Sequence, residues 1–246
     1  MEVKAEKVLP YGGDERGKGE QVREMFDSIA PAYDFMNRAM TMGVDRVWRR
    51  RAVDAVEAVR PVRVLDIATG TGDVAIALAR RLPGVSVTGI DLSEGMVEIG
   101  RRKVERAGLA ARVELRTGDC LALDVPDGSV DAVTVAYGVR NFEHLDRGYA
   151  EMMRVLRPGG LLCVLELSTP RGWLAAPLYR LYTRYVIPAV GRMVSHDVRA
   201  YSYLPESIAA VPQGEDMCAI IRGAGASEAS ARSMTFGACT LYTARK

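Results

Sequence analysis

Apolar positions along this chain follow two periods that alternate at regular intervals. Short, nearly continuous apolar runs, such as Val62-Arg-Val-Leu-Asp-Ile67, Val85-Ser-Val-Thr-Gly-Ile90 and Val130-Asp-Ala-Val-Thr-Val-Ala136, predict buried strands. Between them apolar residues recur at helical spacing. The expected strands span 62–67, 85–90, 112–117, 130–136 and 160–167, and the expected helices 73–82, 93–107 and about 145–156. Strands that alternate with helices need crossover connections, so the fold class is α/β with a parallel sheet. Arg157-Pro-Gly-Gly160 stops a helix and opens the next strand. At the end, a helix over about 214–223 precedes two β-like runs, 227–236 and 239–244, joined near Gly237 as a hairpin.

The first strand runs straight into Asp66-Ile-Ala-Thr-Gly70-Thr71-Gly72-Asp73, and this turn is a nucleotide-type cofactor site. Gly70 and Gly72 lack the Cβ atoms that would keep a ligand off the backbone, and the following helix offers its N-terminal amides. Gly70-x-Gly72-x-x-Ala75 also satisfies the loose dinucleotide pattern GxGxxG/A. Asp66 at the strand end and Asp73 on the first helical turn oppose that reading, because a pyrophosphate there would meet like charge. A sulfonium and an ammonium, as in S-adenosylmethionine, suit carboxylates better. Asp91, ending the second strand, is placed to accept both hydroxyls of a ribose, a device shared with dinucleotide enzymes. Asp119, after the third strand, is placed to accept from an adenine amino group with the Cys120 amide beside it; a plain turn residue is the alternative. Three acids after three successive strands fit adenosylmethionine best. The closing hairpin agrees, since an antiparallel last strand belongs to the Rossmann-like class I methyltransferases rather than to the standard dinucleotide fold.

The rest of the chain frames this core. Residues 1–19, rich in Lys, Glu and Gly, read as a flexible arm, and 20–246 as a single domain. Within it, 20–60 form a helical cap, 61–170 the cofactor-binding core, 171–212 a substrate lid and 213–246 the final helix and hairpin. One cap helix buries Val22, Met25, Phe26 and Ile29 before Pro31 interrupts, and another carries Trp48, Val53 and Val56. Arg46, Arg49, Arg50 and Arg51 make that second helix basic, either as a solvated face or as an attraction to anionic headgroups. The 246 residues suffice for one large α/β domain, and a net charge of +2 implies no nucleic acid. Cys120, Cys163, Cys218 and Cys239 form no CxxC pair, so neither zinc nor a disulfide framework is expected and the cytoplasm is the expected compartment. Two histidines, His144 and His196, leave little for a catalytic metal, and none is expected.

Several motifs then point one way. Gly89-Ile-Asp-Leu-Ser-Glu-Gly-Met96, Thr134-Val-Ala-Tyr-Gly-Val-Arg-Asn141 and Arg154-Val-Leu-Arg-Pro-Gly-Gly160 resemble the ubiquinone/menaquinone biosynthesis C-methyltransferase family. Phe26-Asp-Ser-Ile-Ala-Pro-Ala-Tyr-Asp-Phe-Met-Asn37, followed by Trp48-Arg49, is similar to its N-terminal signature, and Ala200-Tyr-Ser-Tyr-Leu-Pro-Glu-Ser-Ile208 to its C-terminal one. The resemblance covers nearly everything from residue 20 onward. It implies methyl transfer from S-adenosylmethionine to a ring carbon of a prenylated quinol, demethylmenaquinol above all. It also implies Thr71, Asp91, Asp119 and Cys120 as cofactor residues, with Cys120 standing where alanine is common and Ala136 where some members have serine.

Such chemistry needs a phenolate, whose ortho carbon is electron-rich, and a group to stabilise the oxyanion. Arg140 and Asn141 follow the fourth strand, at the carboxyl edge where these sheets bind ligands. With a pKa above about 12, Arg140 is no base by itself; it stabilises the phenolate or polarises a water, while Asn141 orients a quinol oxygen. Tyr33 and Asp34 of the cap are the next candidates to reach over the substrate. In the lid, Leu174, Leu178, Leu181 and Tyr185 recur at helical spacing over 173–190. That face packs on the core, receives a prenyl tail or rests on a bilayer surface. Oxygen or nitrogen methylation, a nicotinamide reductase and a non-catalytic cofactor scaffold stay open as alternatives, as does assembly into a homo-oligomer.

Overall fold

The computed structural model describes residues 3–173, 175–187 and 198–246, the last stretch with side chains from Tyr203 onward. Leu174, His196 and positions 188–190 of the expected lid helix lie outside the described residues. Three helices open the domain: α1 (Lys18–Ile29), α2 (Tyr33–Met40) and α3 (Asp45–Glu57). Then follow β1 (Arg63–Ile67), α4 (Asp73–Arg81), β2 (Ser86–Asp91), α5 (Glu94–Arg106), β3 (Val113–Thr117), β4 (Val130–Ala136), α6 (Leu145–Val155) and β5 (Leu156–Leu167). α7 (Ala175–Leu181) continues as a wider turn through Tyr182–Val186, and α8 (Val198–Ala210), α9 (Glu215–Gly223), β6 (Glu228–Met234) and β7 (Cys239–Arg245) complete the chain.

The seven strands form one sheet in the order β3-β2-β1-β4-β5-β7-β6. β1 to β5 pair in parallel, whereas β7 runs antiparallel to both β5 and β6, as the closing hairpin requires. One face packs on α6 and α9 through Tyr149, Met152, Met217 and Ile221. The other packs on α3, α4 and α5 through Trp48, Val56, Leu78, Val97 and Val104. A third cluster, with Met25, Ile29, Met36, Met96, Ile187 and Tyr203, joins the cap and the lid above the carboxyl edge of the sheet.

That edge carries the backbone irregularities. Strand order reverses between β1 and β4, which opens a crevice between their loops. The residue just past each strand, Ala68 (φ 50°) and Tyr137 (φ 61°), is left-handed without being glycine. The two loops touch, since a Cβ on Gly138 would sit 2.5 Å from that of Ala68. Gly72, at φ 78°, caps α4 where a Cβ would press on Leu115 at 2.9 Å.

Two expectations are corrected. Val62 is 63% exposed and precedes β1, so the apolar run overshoots the strand by one residue. The N-terminal segment is not a loose arm. A 3-10 turn, Lys4–Lys7, lies on the core with Val3 and Ala5 buried, and Glu6 accepts from the Leu145 amide at 2.9 Å. Lys18 is 2% exposed and donates to the carbonyls of Ala5 (2.6 Å) and Arg140 (3.0 Å). The buried ammonium explains why a polar segment docks. Once desolvated, it needs carbonyl partners, and the segment supplies one of them.

Candidate active site

A cavity of about 300 Å³ opens at the carboxyl edge of the sheet, lined among others by Phe26, Tyr33, Gly70, Asp91, Asp119 and Asn141. Asp91 ends β2 and is pinned there, accepting from the Gly70 amide (2.7 Å) and the Ser93 amide (2.9 Å). Each carboxylate oxygen keeps a second lone pair, which is what a ribose diol requires. Burial raises the Asp91 carboxyl, partly offset by the bonds from Ser93 and Gly70. Asp119 lines the cavity and closes an Asx turn onto the Leu121 amide at 2.8 Å. Cys120 lines the same wall, and burial raises its thiol so far that it stays protonated and non-nucleophilic.

A small recess beside the glycine turn is lined by Arg49, Asp66, Thr71, Tyr137, Tyr33 and Asn37. Asp66 is 1% exposed and accepts from Thr134 Oγ1 (2.5 Å) and Thr69 Oγ1 (2.6 Å). Burial pushes its carboxyl up to about 6. Asp73 departs from its expected role. Arg49 (2.5 Å) and Lys103 (2.5 Å) both pair with it, and although burial opposes ionisation, these cations hold its carboxyl below the usual range. Its repulsion of an anion at the turn is therefore largely cancelled, and the case against a pyrophosphate rests on Asp66 instead, since an acid placed like Asp91 also serves dinucleotide enzymes.

Asp34 is also corrected. It lines neither the cavity nor the recess. Its oxygens take Thr71 Oγ1 (2.6 Å) and Lys103 Nζ (2.7 Å), so it latches α2 to the glycine turn rather than reaching over an acceptor. Tyr33, one residue earlier, does cover the turn, with its Cε1 3.9 Å from where a Gly70 Cβ would be and its ring edge-on to Phe26.

Arg140 and Asn141 divide the next task. Asn141 lines the cavity, and its Oδ1 accepts from the Tyr203 hydroxyl of α8 at 3.1 Å. Arg140 stands behind it, 6% exposed, with Nη1 on Glu166 Oε1 (2.8 Å) and on the Tyr137 carbonyl. Burial opposes its charge, and Glu166 together with Tyr33 and Tyr203 more than offsets this. Among the described residues, Tyr137 Oη and Arg140 Nε are the buried side-chain polar atoms without a partner. Both lie on the loop after β4, where a ligand or a water would satisfy them. Glu166, Lys103 and Lys18 are not singled out by the sequence, and Tyr203 is marked only as part of the signature over 200–208. Glu166 carries a signal of its own, as a lone charge in the apolar run Leu161-Leu-Cys-Val-Leu-Glu-Leu167.

These residues fit S-adenosylmethionine. In sheet order, Asp119 follows β3, Asp91 ends β2 and Asp66 lies in β1, so these three would hold the adenine, the ribose and the methionyl end respectively. No group of three or more potential metal ligands occurs among the described residues. Fold and site together define a class I methyltransferase that uses S-adenosylmethionine. Solved structures agree on the fold. A [4+2]-cyclase, SpnF, has a TM-score of 0.63 at 20% identity, covering 93% of this chain and 96% of its own. A methyltransferase from Thermotoga maritima has 0.62 at 19%, covering 91% and 99%.

The chain belongs to the ubiE/COQ5 methyltransferase family, whose pattern it matches over residues 14–246. It is 47% identical to a demethylmenaquinone methyltransferase of Bacteroides fragilis over the whole of both chains. It is 45% identical to one of Deinococcus radiodurans, covering 96% of this chain and 97% of that one. Identity to a ubiquinone/menaquinone biosynthesis C-methyltransferase of Geobacter sulfurreducens is 44%, covering 100% and 95%.

Proposed function

We propose that this protein transfers a methyl group from S-adenosylmethionine to a ring carbon of a prenylated quinol, converting demethylmenaquinol to menaquinol. The observation that carries the reading is Asn141 in the cleft wall, backed by a buried Arg140 whose Nε has no protein partner. The bound cofactor supplies an electrophilic methyl on a sulfonium. The chain's part is to hold a ring carbon in line with it, at about 3 to 3.5 Å, and to make that carbon nucleophilic.

Asn141, held by Tyr203, offers its amide to a quinol oxygen. Arg140, fixed by Glu166, stands behind that oxygen with its charge largely offset, so it favours the phenolate over the phenol by hydrogen bonding rather than as a free positive charge. Arg140 lines neither the cavity nor the recess, so its free Nε–H is the donor left for a water that takes the proton. Tyr33 and Phe26 shut the cleft over the reacting atoms and exclude bulk water. Residues 171–212 act as the acceptor's lid, supported by the Tyr203–Asn141 bond and by Ile187 in the cluster over the cleft. The enzyme works in the cytoplasm and meets its acceptor at the inner face of the membrane. No helix among the described residues is long and apolar enough to cross one.

The deciding assay supplies S-adenosylmethionine with reduced demethylmenaquinone or a ubiquinone-series analogue and reads product mass. A carbon-bound methyl on the menaquinone acceptor is expected. Turnover of neither acceptor, or a methyl on oxygen, rejects the reading.

A further inference from the structure

Away from the cleft, α2 and α3 present a second surface. Tyr33 and Asn37, four residues apart, face the recess, whereas Phe35, Arg38 and Met42 follow the i, i+3, i+7 stripe on another side of the same helix and its trailing turn. Phe35 is 63% exposed, Met42 81% and, on α3, Val47 57%. Between α3 and α4 runs a groove of about 410 Å³ that includes Arg38, Arg46, Arg50 and Arg80. Arg49 and Arg81 also line it, but Arg49 pairs with Asp45 and Asp73, and Arg81 with Glu57. The other four arginines have no carboxylate partner among the described residues. Asp54 lines the same groove and offsets one of these charges, so a chain of net charge +2 still gathers an excess of cations in one place, a field that attracts anions.

The lid carries an exposed apolar stripe of its own. Leu178, Leu181 and Tyr185 are exposed at the same i, i+3, i+7 spacing on α7 and its continuation. The Tyr182 hydroxyl donates to the Met40 carbonyl and fastens that helix to the end of α2.

We propose that this face docks onto an anionic phospholipid bilayer. Arg38, Arg46, Arg50 and Arg80 meet lipid phosphates, while Phe35, Met42 and Val47 enter the boundary between headgroups and acyl chains. A soluble phosphate needs only the charges; large exposed apolar side chains beside them suit an interface that is charged above and oily below. Arg49 lines both the groove and the recess at the glycine turn, so docking here brings that recess next to the layer that holds a prenyl tail. The inference rests on the prenylated-quinol reading for its purpose, but its binding test needs no quinol.

The test is sedimentation of the full chain with phosphatidylcholine vesicles and with vesicles containing phosphatidylglycerol. Binding to the anionic vesicles alone is expected, weakened by salt. Replacing Arg38, Arg46, Arg50 and Arg80 together by Gln should lower the partition coefficient by roughly 10²–10³-fold, at about 1 kcal/mol per basic residue. The matching Lys variant should keep most of the binding, and Phe35→Ser with Met42→Ser should reduce it. Unchanged melting midpoints separate lost docking from lost folding. No vesicle binding by the wild type, or equal binding by the Gln variant, overturns the proposal. So does protection of the four arginines by inorganic phosphate without vesicle binding, which would identify a soluble-anion site. Methylation of a quinol with a truncated tail should survive in the Gln variant; its loss in the wild type counts against the quinol reading and not against docking.

Discussion

Asp66 shows how one buried group sets a pH dependence. Its carboxyl is raised to about 6, chiefly by burial, against an ordinary 3.8. The folded apoprotein therefore binds a proton that the unfolded chain releases, so Asp66 adds stability as pH falls from about 6 toward 4 and loses it as pH rises. A cationic ligand has the opposite preference, because it needs the carboxylate. Calorimetry should show S-adenosylmethionine affinity falling by up to about tenfold per pH unit below pH 6, and Asp66→Asn should flatten that slope. A slope unchanged in the variant would remove Asp66 from the cofactor site. The Arg140–Glu166 pair allows a separation of stability from chemistry. Arg140→Gln or Glu166→Gln alone leaves one buried charge uncompensated and should cost about 3–5 kcal/mol by denaturant melts. Arg140→Met combined with Glu166→Leu should recover most of that stability while methylation stays abolished. A double variant that turns over would show the pair to be structural only.

Among the elements, the pieces outside the α/β core hold the site in place. Tyr203→Phe deletes the bond from α8 to Asn141 and nothing else that is polar. At about 0.5–1.5 kcal/mol for such a bond, kcat/KM for the acceptor should fall roughly 2–10-fold, with cofactor affinity unchanged in a titration. The first turn, Lys4–Lys7, covers Lys18, whose ammonium burial has pushed down to about 8. Removing residues 1–7 strips Val3 and Ala5 from the core, the Glu6 cap from α6 and one partner from Lys18. That should cost about 2–4 kcal/mol and lower the melting midpoint by roughly 5–10 °C. A truncation without effect would restore the view of this segment as a loose arm.

At the scale of the whole molecule, cofactor binding should stiffen parts far apart in sequence. The Asp34–Lys103–Asp73–Arg49 network ties α2, α3, α4 and α5 around the glycine turn. Hydrogen exchange with S-adenosylhomocysteine should therefore protect residues 33–40 along with 68–74, and protection confined to the turn would contradict the latch. Much of this molecule was legible in the chain itself. The parallel core, the closing hairpin and the acids Asp66, Asp91 and Asp119 follow from hydrophobic period and from residues at strand ends, which are local properties that a linear text records. The roles of Asp34 and Asp73, the burial of Lys18 and the orphaned Arg140 Nε were not. Each depends on which charges meet across the fold: Lys103 with Asp34, Arg49 with Asp73, Glu166 with Arg140. Sequence alone determined the fold class and the cofactor-binding edge, because periodicity and glycine stereochemistry act within a few residues. Only the tertiary structure decided which carboxylates are free and which are already paired, because the interaction of charges falls off with distance through space and takes no account of separation along the chain.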